Sequence, residues 1–277
     1  MNIFRRWFGL TAAPVAVVFL MGASAGAARA AGDKTCLGGS IASGIYSNLN
    51  IAGACTIDKG SVTVEGNLTV RPGASLVAVT GGFGAAPVSS DLTVTGNLEV
   101  QSGGLLNLGC EPIHYTCAND PDQKIGTYAT MDTIAGNLTA QDALAVVIHH
   151  TAIGGNVSLL GGGGGVNSCG ASLPALGFAP PYGDIEDDVI GGNMTIIGWQ
   201  SCWLGWVRDT VMHNVDFDGN VTGDPDGNEM ANNIVLGNLN CSGNNPSTQI
   251  GDSTGSPTTV IGNAKGQCTI KPGFIVH

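Results

Sequence analysis

Ile190-Gly191-Gly192-Asn193-Met194-Thr195-Ile196 contains the phrase that decides the fold: an apolar residue, any residue, Gly, Asn, then an apolar residue that opens an alternating run. The same phrase ends on Asn67, Asn97, Asn137, Asn156, Asn220, Asn238 and Asn263, each followed by Leu, Val or Ala. Gly-Asn is turn chemistry, because Gly reaches backbone angles closed to other residues and Asn tolerates the left-handed region. The runs that follow, such as Leu68-Thr69-Val70 and Leu98-Glu99-Val100, alternate as half-buried strands do. Short strands divided by a recurring corner predict an all-β, irregular right-handed parallel β-helix with disulfide-tied insertions. Stacking explains the Asn: at ~4.8 Å between coils, one amide reaches the next, so all eight are expected to form a ladder.

Consecutive copies lie 30, 40, 19, 37, 27, 18 and 25 residues apart. The two shortest intervals read as one coil each, and those of 37 and 40 as two coils, one lacking the phrase. The total comes to roughly ten coils.

Arg5-Arg6, the apolar run from Phe8 to Met21 and Ala28-Arg29-Ala30 read as a signal peptide over 1–30, by general secretion or the twin-arginine route. The rest, 31–277, reads as one solenoid with an N-terminal cap at 31–60 and a C-terminal cap at 264–277, with no membrane span in the mature chain. Without Arg5, Arg6 and Arg29, seven basic side chains face 21 acidic ones. That balance disfavours nucleic acid as a partner and is compatible with divalent cations. All eight Cys fall in the exported part, where neighbour order suggests Cys36–Cys55, Cys110–Cys117, Cys169–Cys202 and Cys241–Cys268.

Function is sought where the phrase is absent, in 109–131, 161–188 and 198–210. Asp184, Glu186, Asp187 and Asp188 read either as a cation or acid/base site or as a solvated loop. Asp216 and Asp218 flank Phe217 and would share an outward face, the minimum for glycoside hydrolysis. Trp199, Trp203 and Trp206 offer either a carbohydrate platform or a small core. Asp224, Asp226, Asn228 and Glu229 faintly follow the start of a calcium loop. His149 and His150 would point to opposite faces, and His213-Asn214 stands alone.

Gly191-Gly192-Asn193-Met194-Thr195-Ile196, the paired Cys and Gln200-Ser201-Cys202-Trp203 together resemble secreted bacterial β-helix repeat proteins of unassigned activity. The resemblance implies fold and export and brings no catalytic residues. The coil pattern is also similar to bactofilins, which are compact and intracellular. Pectin-degrading enzymes share the fold class, but of the polygalacturonase pattern only Asp187-Asp188 is present. The expectation is a non-catalytic extracellular solenoid, a structural, surface or matrix component or an adhesin, with no cofactor unless calcium. The alternatives are a carbohydrate-active enzyme using Asp216, Asp218, Asp187 and Asp188, or a carbohydrate- or calcium-binding module. A partner would be an extracellular glycan or another cell-surface component.

Overall fold

The computed structural model describes residues 32–79, 90–109, 132–251 and 256–269. The expected signal peptide and the Cys110–Cys117 pair lie outside them. The described chain is a right-handed parallel β-helix with three all-parallel sheets of ten, nine and nine strands. A fourth sheet, Gln200–Ser201 with Val221–Thr222, has two strands.

One regular coil shows the path. Leu138–Gln141 lies in the first sheet, Ala145–His149 in the second and Thr151–Ile153 in the third. Gly155-Asn156 then turns the chain into Val157–Leu160, back in the first sheet one coil further on. Register holds from end to end: Leu49, Leu68, Leu98, Leu138, Val157, Met194, Val215 and Leu239 stack in one inward column. All are 0–1% exposed. Each such side chain contributes roughly 1.5–3 kcal/mol by leaving water, so a coil is held mainly by its neighbours.

Two expectations about coil counting are corrected. Leu98–Val100 pairs directly with Leu138–Gln141, and Val157–Leu160 with Met194–Ile197. The intervals of 40 and 37 residues are therefore single coils carrying insertions. The stretches read as caps also contribute coils: Lys34–Cys36, Gly39–Ser40 and Gly44–Tyr46 enter all three sheets, and Ala264–Gly266 is the tenth strand of the first.

The corner needs Gly for a different reason from the one the sequence suggests. Gly96, Gly136, Gly155 and Gly192 do not adopt positive φ. A Cβ on each would instead collide with the carbonyl of the Gly one coil below. Their N–H groups donate to those carbonyls at 2.8–2.9 Å, a spacing that leaves no room for a side chain.

The Asn ladder runs beside them and has different membership. Asn48, Asn67, Asn97, Asn137, Asn156, Asn193, Asn214, Asn238 and Asn263 stack in order. From Asn67 onward, each backbone N–H donates to the Oδ1 of the Asn below, at 2.8–3.1 Å. Asn220 is not a member. It follows its first-sheet strand, Val215–Asp218, instead of preceding one, and Gly219 there has φ +64°. Asn214 occupies the rung, with His213 where most rungs have Gly.

Disulfides join Cys36 to Cys55, Cys169 to Cys202 and Cys241 to Cys268. The first and third link adjacent coils, whereas Cys169–Cys202 fastens the insertion at 161–182. Among the described residues, no helix is long and apolar enough to cross a membrane.

Candidate functional site

The second sheet is buried on both faces where the insertion crosses it. Ala145–His149 and Gly183–Glu186 have no exposed position. Leu105, Ala145, Val147 and Leu176 form an outer cluster, flanked by Leu144, Leu173, Ala175, Ala179 and Tyr182. Strand alternation turns Ile185 inward and sends Asp184 and Glu186 outward under this cover. Register then sets His149 beside Glu186 and Val147 beside Asp184.

The turn after this sheet takes left-handed backbone in successive coils, at His150 (φ 54°), Asp187 (φ 59°), Arg208 (φ 64°) and Asn232 (φ 56°). Non-glycine residues rarely occupy that region, so each coil carries some local strain. In return the corner brings Asp187 and Arg208 onto adjacent rungs. Arg208 Nε donates to Asp187 Oδ1 at 2.7 Å and Nη2 to Oδ2 at 2.8 Å, a bidentate pair. Nη2 also lies 3.1 Å from Glu186 Oε1. His149 Nδ1 lies 3.2 Å from Glu186 Oε2, and its Nε2 lies 3.7 Å from Asp184 Oδ2. Burial works to raise the Glu186 carboxyl, but His149 and Arg208 outweigh it and hold the group below its ordinary range.

Behind this network, facing into the helix, runs a buried polar column. Asp188 Oδ1 accepts from Thr151 N at 2.6 Å, Asp209 Oδ1 from Asp188 N at 2.6 Å, and Asn233 Oδ1 from Asp209 N at 2.8 Å. Asp132 Oδ1 accepts from Leu92 N at 2.7 Å at the same corner lower down. Burial pushes Asp132 up to about 8 and carries Asp188 and Asp209 well above the carboxylate range, against the N–H bonds they accept. Asp188 adds repulsion for Asp209, and Asp187 and Glu186 add it for both.

The acidic stretch 184–188 is thus no solvated loop: it is a strand and a corner, buried and cross-linked. Sequence reasoning weighed its acids and missed His149, Arg208, Asp209 and Asn233 as their neighbours. His149 is 37 residues from Glu186 and only the sheet register joins them. One signal was available, since Arg208 is one of two Arg beyond residue 30 in an acidic chain.

The remaining candidates separate. Asp216 and Asp218 do share an outward face. Asp216 Oδ1 accepts from Asn240 Nδ2 at 2.8 Å, and Asp218 Oδ1 from Ser242 Oγ at 2.9 Å. The Trp platform is corrected: Trp199 and Trp206 are 0% exposed inside the coil, packed there as large apolar fillers. Trp203 alone reaches the outer surface, half-buried, tilted 59° to Tyr182 and donating Nε1–H to Glu229 Oε1 at 2.9 Å. The calcium-loop candidates Asp224, Asp226, Asn228 and Glu229 lie on one turn and the strand after it. Asp224 Oδ1 accepts from Asp226 N within its own turn, while buried Asn228 donates to the Pro246 carbonyl and Glu229 engages Trp203. The side chains of Asp224, Asn228 and Glu229 thus each have a different partner.

His149, Asp184 and Glu186 form the described set whose ligand atoms all lie within 4.8 Å of one another. Each ring nitrogen of His149 already faces a carboxylate, and Arg208 engages the second oxygen of Glu186. Arg208 forms ion pairs with Asp187 and Glu186 of the coil below, and His149 of the next coil lies against Glu186 and Asp184. Comparison with protein-family models, with curated proteins and with solved structures found no match for this chain.

Proposed function

We propose that the protein is a non-catalytic extracellular β-solenoid, a structural or surface component whose long rigid body is its function. One observation carries the reading: the carboxylates best suited to catalysis are engaged between coils. Asp187 binds Arg208, Asp188 accepts from Thr151, Asp216 from Asn240 and Asp218 from Ser242. A general acid or nucleophile must meet a substrate, and at least one oxygen of each of these groups meets the next rung. The three disulfides fit an oxidising location, and the acidic balance of the chain disfavours polyanionic partners.

The test is a polysaccharide-depolymerisation screen of the mature chain, run beside a glycan array. The expected result is no new reducing ends or unsaturated products from any substrate. Turnover that is lost in Asp216→Asn or Asp187→Asn would replace this reading with the carbohydrate-active one.

A further inference from the structure

Three buried amides share one bonding pattern. Asn233 accepts from the N–H of Asp209 and donates Nδ2 to the carbonyl of Trp206, three residues earlier. Asn220 accepts from Trp199 and donates to Ile196 O, and Asn244 accepts from Asn220 and donates to Phe217 O, again three residues earlier. Each amide therefore spans one turn of the coil below, taking a proton with one atom and giving one with the other.

Asp209 and Asp188 occupy the same place as Asn233, one and two coils down. Their Oδ1 atoms accept from Asp188 N and Thr151 N. Counting back three residues gives Ile185 and Ile148, and the sheet register aligns Ile148, Ile185 and Trp206 in one column. The Oδ2 atoms of Asp188 and Asp209 are buried with no hydrogen-bond partner, and both residues are 1% exposed. By this correspondence each Oδ2 would stand at a carbonyl, where an ionised oxygen would be repelled and a carboxylic O–H has a donor to offer.

We infer that Asp188 and Asp209 are neutral carboxylic acids serving as amides. Each offers its Oδ2 proton to the carbonyl of Ile148 or Ile185, making this corner a proton-locked joint that alkali opens. The charged and titratable groups facing the joint are His149 and His150 from the coil below, Glu186 and Asp187 beside Asp188, and Arg208 beside Asp209. The coil above Asp209 presents Asn232 and Asn233, which do not titrate. Glu186 and Asp187 reinforce the lock by opposing further negative charge.

The sign follows from linkage. The folded values lie above the unfolded value of about 3.9, so the native state binds more protons and stability falls as pH rises from about 4 through the folded values. The experiment is thermal unfolding of the disulfide-intact mature chain from about pH 4 to about pH 9, for the native protein, Asp188→Asn, Asp209→Asn and the double variant. The native midpoint should fall with pH and each Asn variant should flatten the profile, with Asp209→Asn melting at least about 3 °C higher near pH 8. Asp132 accounts for slope left in the double variant. Parallel profiles would overturn the inference. If these variants do not fold, infrared spectra of Asp132→Asn decide: a protonated-carboxyl band at neutral pH that fades with alkali supports the lock, and its absence sinks it.

Discussion

Arg208 is the residue on which the buried lattice turns. It bonds Asp187 through both oxygens and reaches Glu186, with 22% of its side chain exposed against 3% and 10% for theirs. Arg208→Ala strands two buried carboxylates, and breaking such a pair costs on the order of 3 kcal/mol. Arg208→Lys should recover only part, because an ammonium cannot reproduce the two parallel bonds. Denaturant unfolding near neutral pH checks both, and equal stability of the Ala variant and the native protein would remove the lattice from the account. Gly136 tests a different contact at the same scale. Its Cβ would meet Gly96 O and Asn97 Oδ1, while Gly73 (φ +72°) faces open space. Gly136→Ala should therefore lose well over the ~1 kcal/mol expected of Gly73→Ala, whose penalty is backbone conformation alone.

At the level of elements, the two ladders explain what could be read from the sequence. The Gly-Asn corner was legible because coil contact there demands one residue type at each place, and seven copies found their rung. Its limits were physical as well. Asn214 and Asn48 keep the ladder without Gly, since the backbone bond goes to the Asn side chain and tolerates Ser47 or His213 beside it. Asn220 has the phrase and a different corner. The buried column of Asp188, Asp209 and Asn233 was illegible because acids in a run normally signal solvent, and their partners depend on register over intervals that insertions alter. The Asn ladder makes its own prediction: Asn137→Ala removes the acceptor for Asn156 N, and should cost about 1–2 kcal/mol. Asn263→Ala, on the last described rung, should cost less in the same unfolding assay.

For the whole molecule, the question is which parts open independently. The solenoid core is continuous from Cys36 to Cys268, so its coils support one another along the axis. The insertion at 161–182 belongs to it through the small outer cluster, a few backbone bonds to the coil wall, the Asn107 Nδ2 bond to Ala175 O, the Tyr182–Trp203 contact and the Cys169–Cys202 bridge. Its Gly162, Gly163, Gly164 and Gly165 all take positive φ, a segment that gains much freedom on release. In the double variant Cys169→Ser/Cys202→Ser, the bridge no longer restrains the released state. Proteolysis should then cut within 161–182 many-fold faster, with the far-ultraviolet β-sheet spectrum unchanged and the flanking coils intact. Removing Cys241–Cys268 in the same way should fray only the last coil and leave the insertion protected. If both variants instead lose the whole sheet signal together, the insertion is part of the cooperative unit, and the outer cluster carries more of the stability than its four buried side chains suggest.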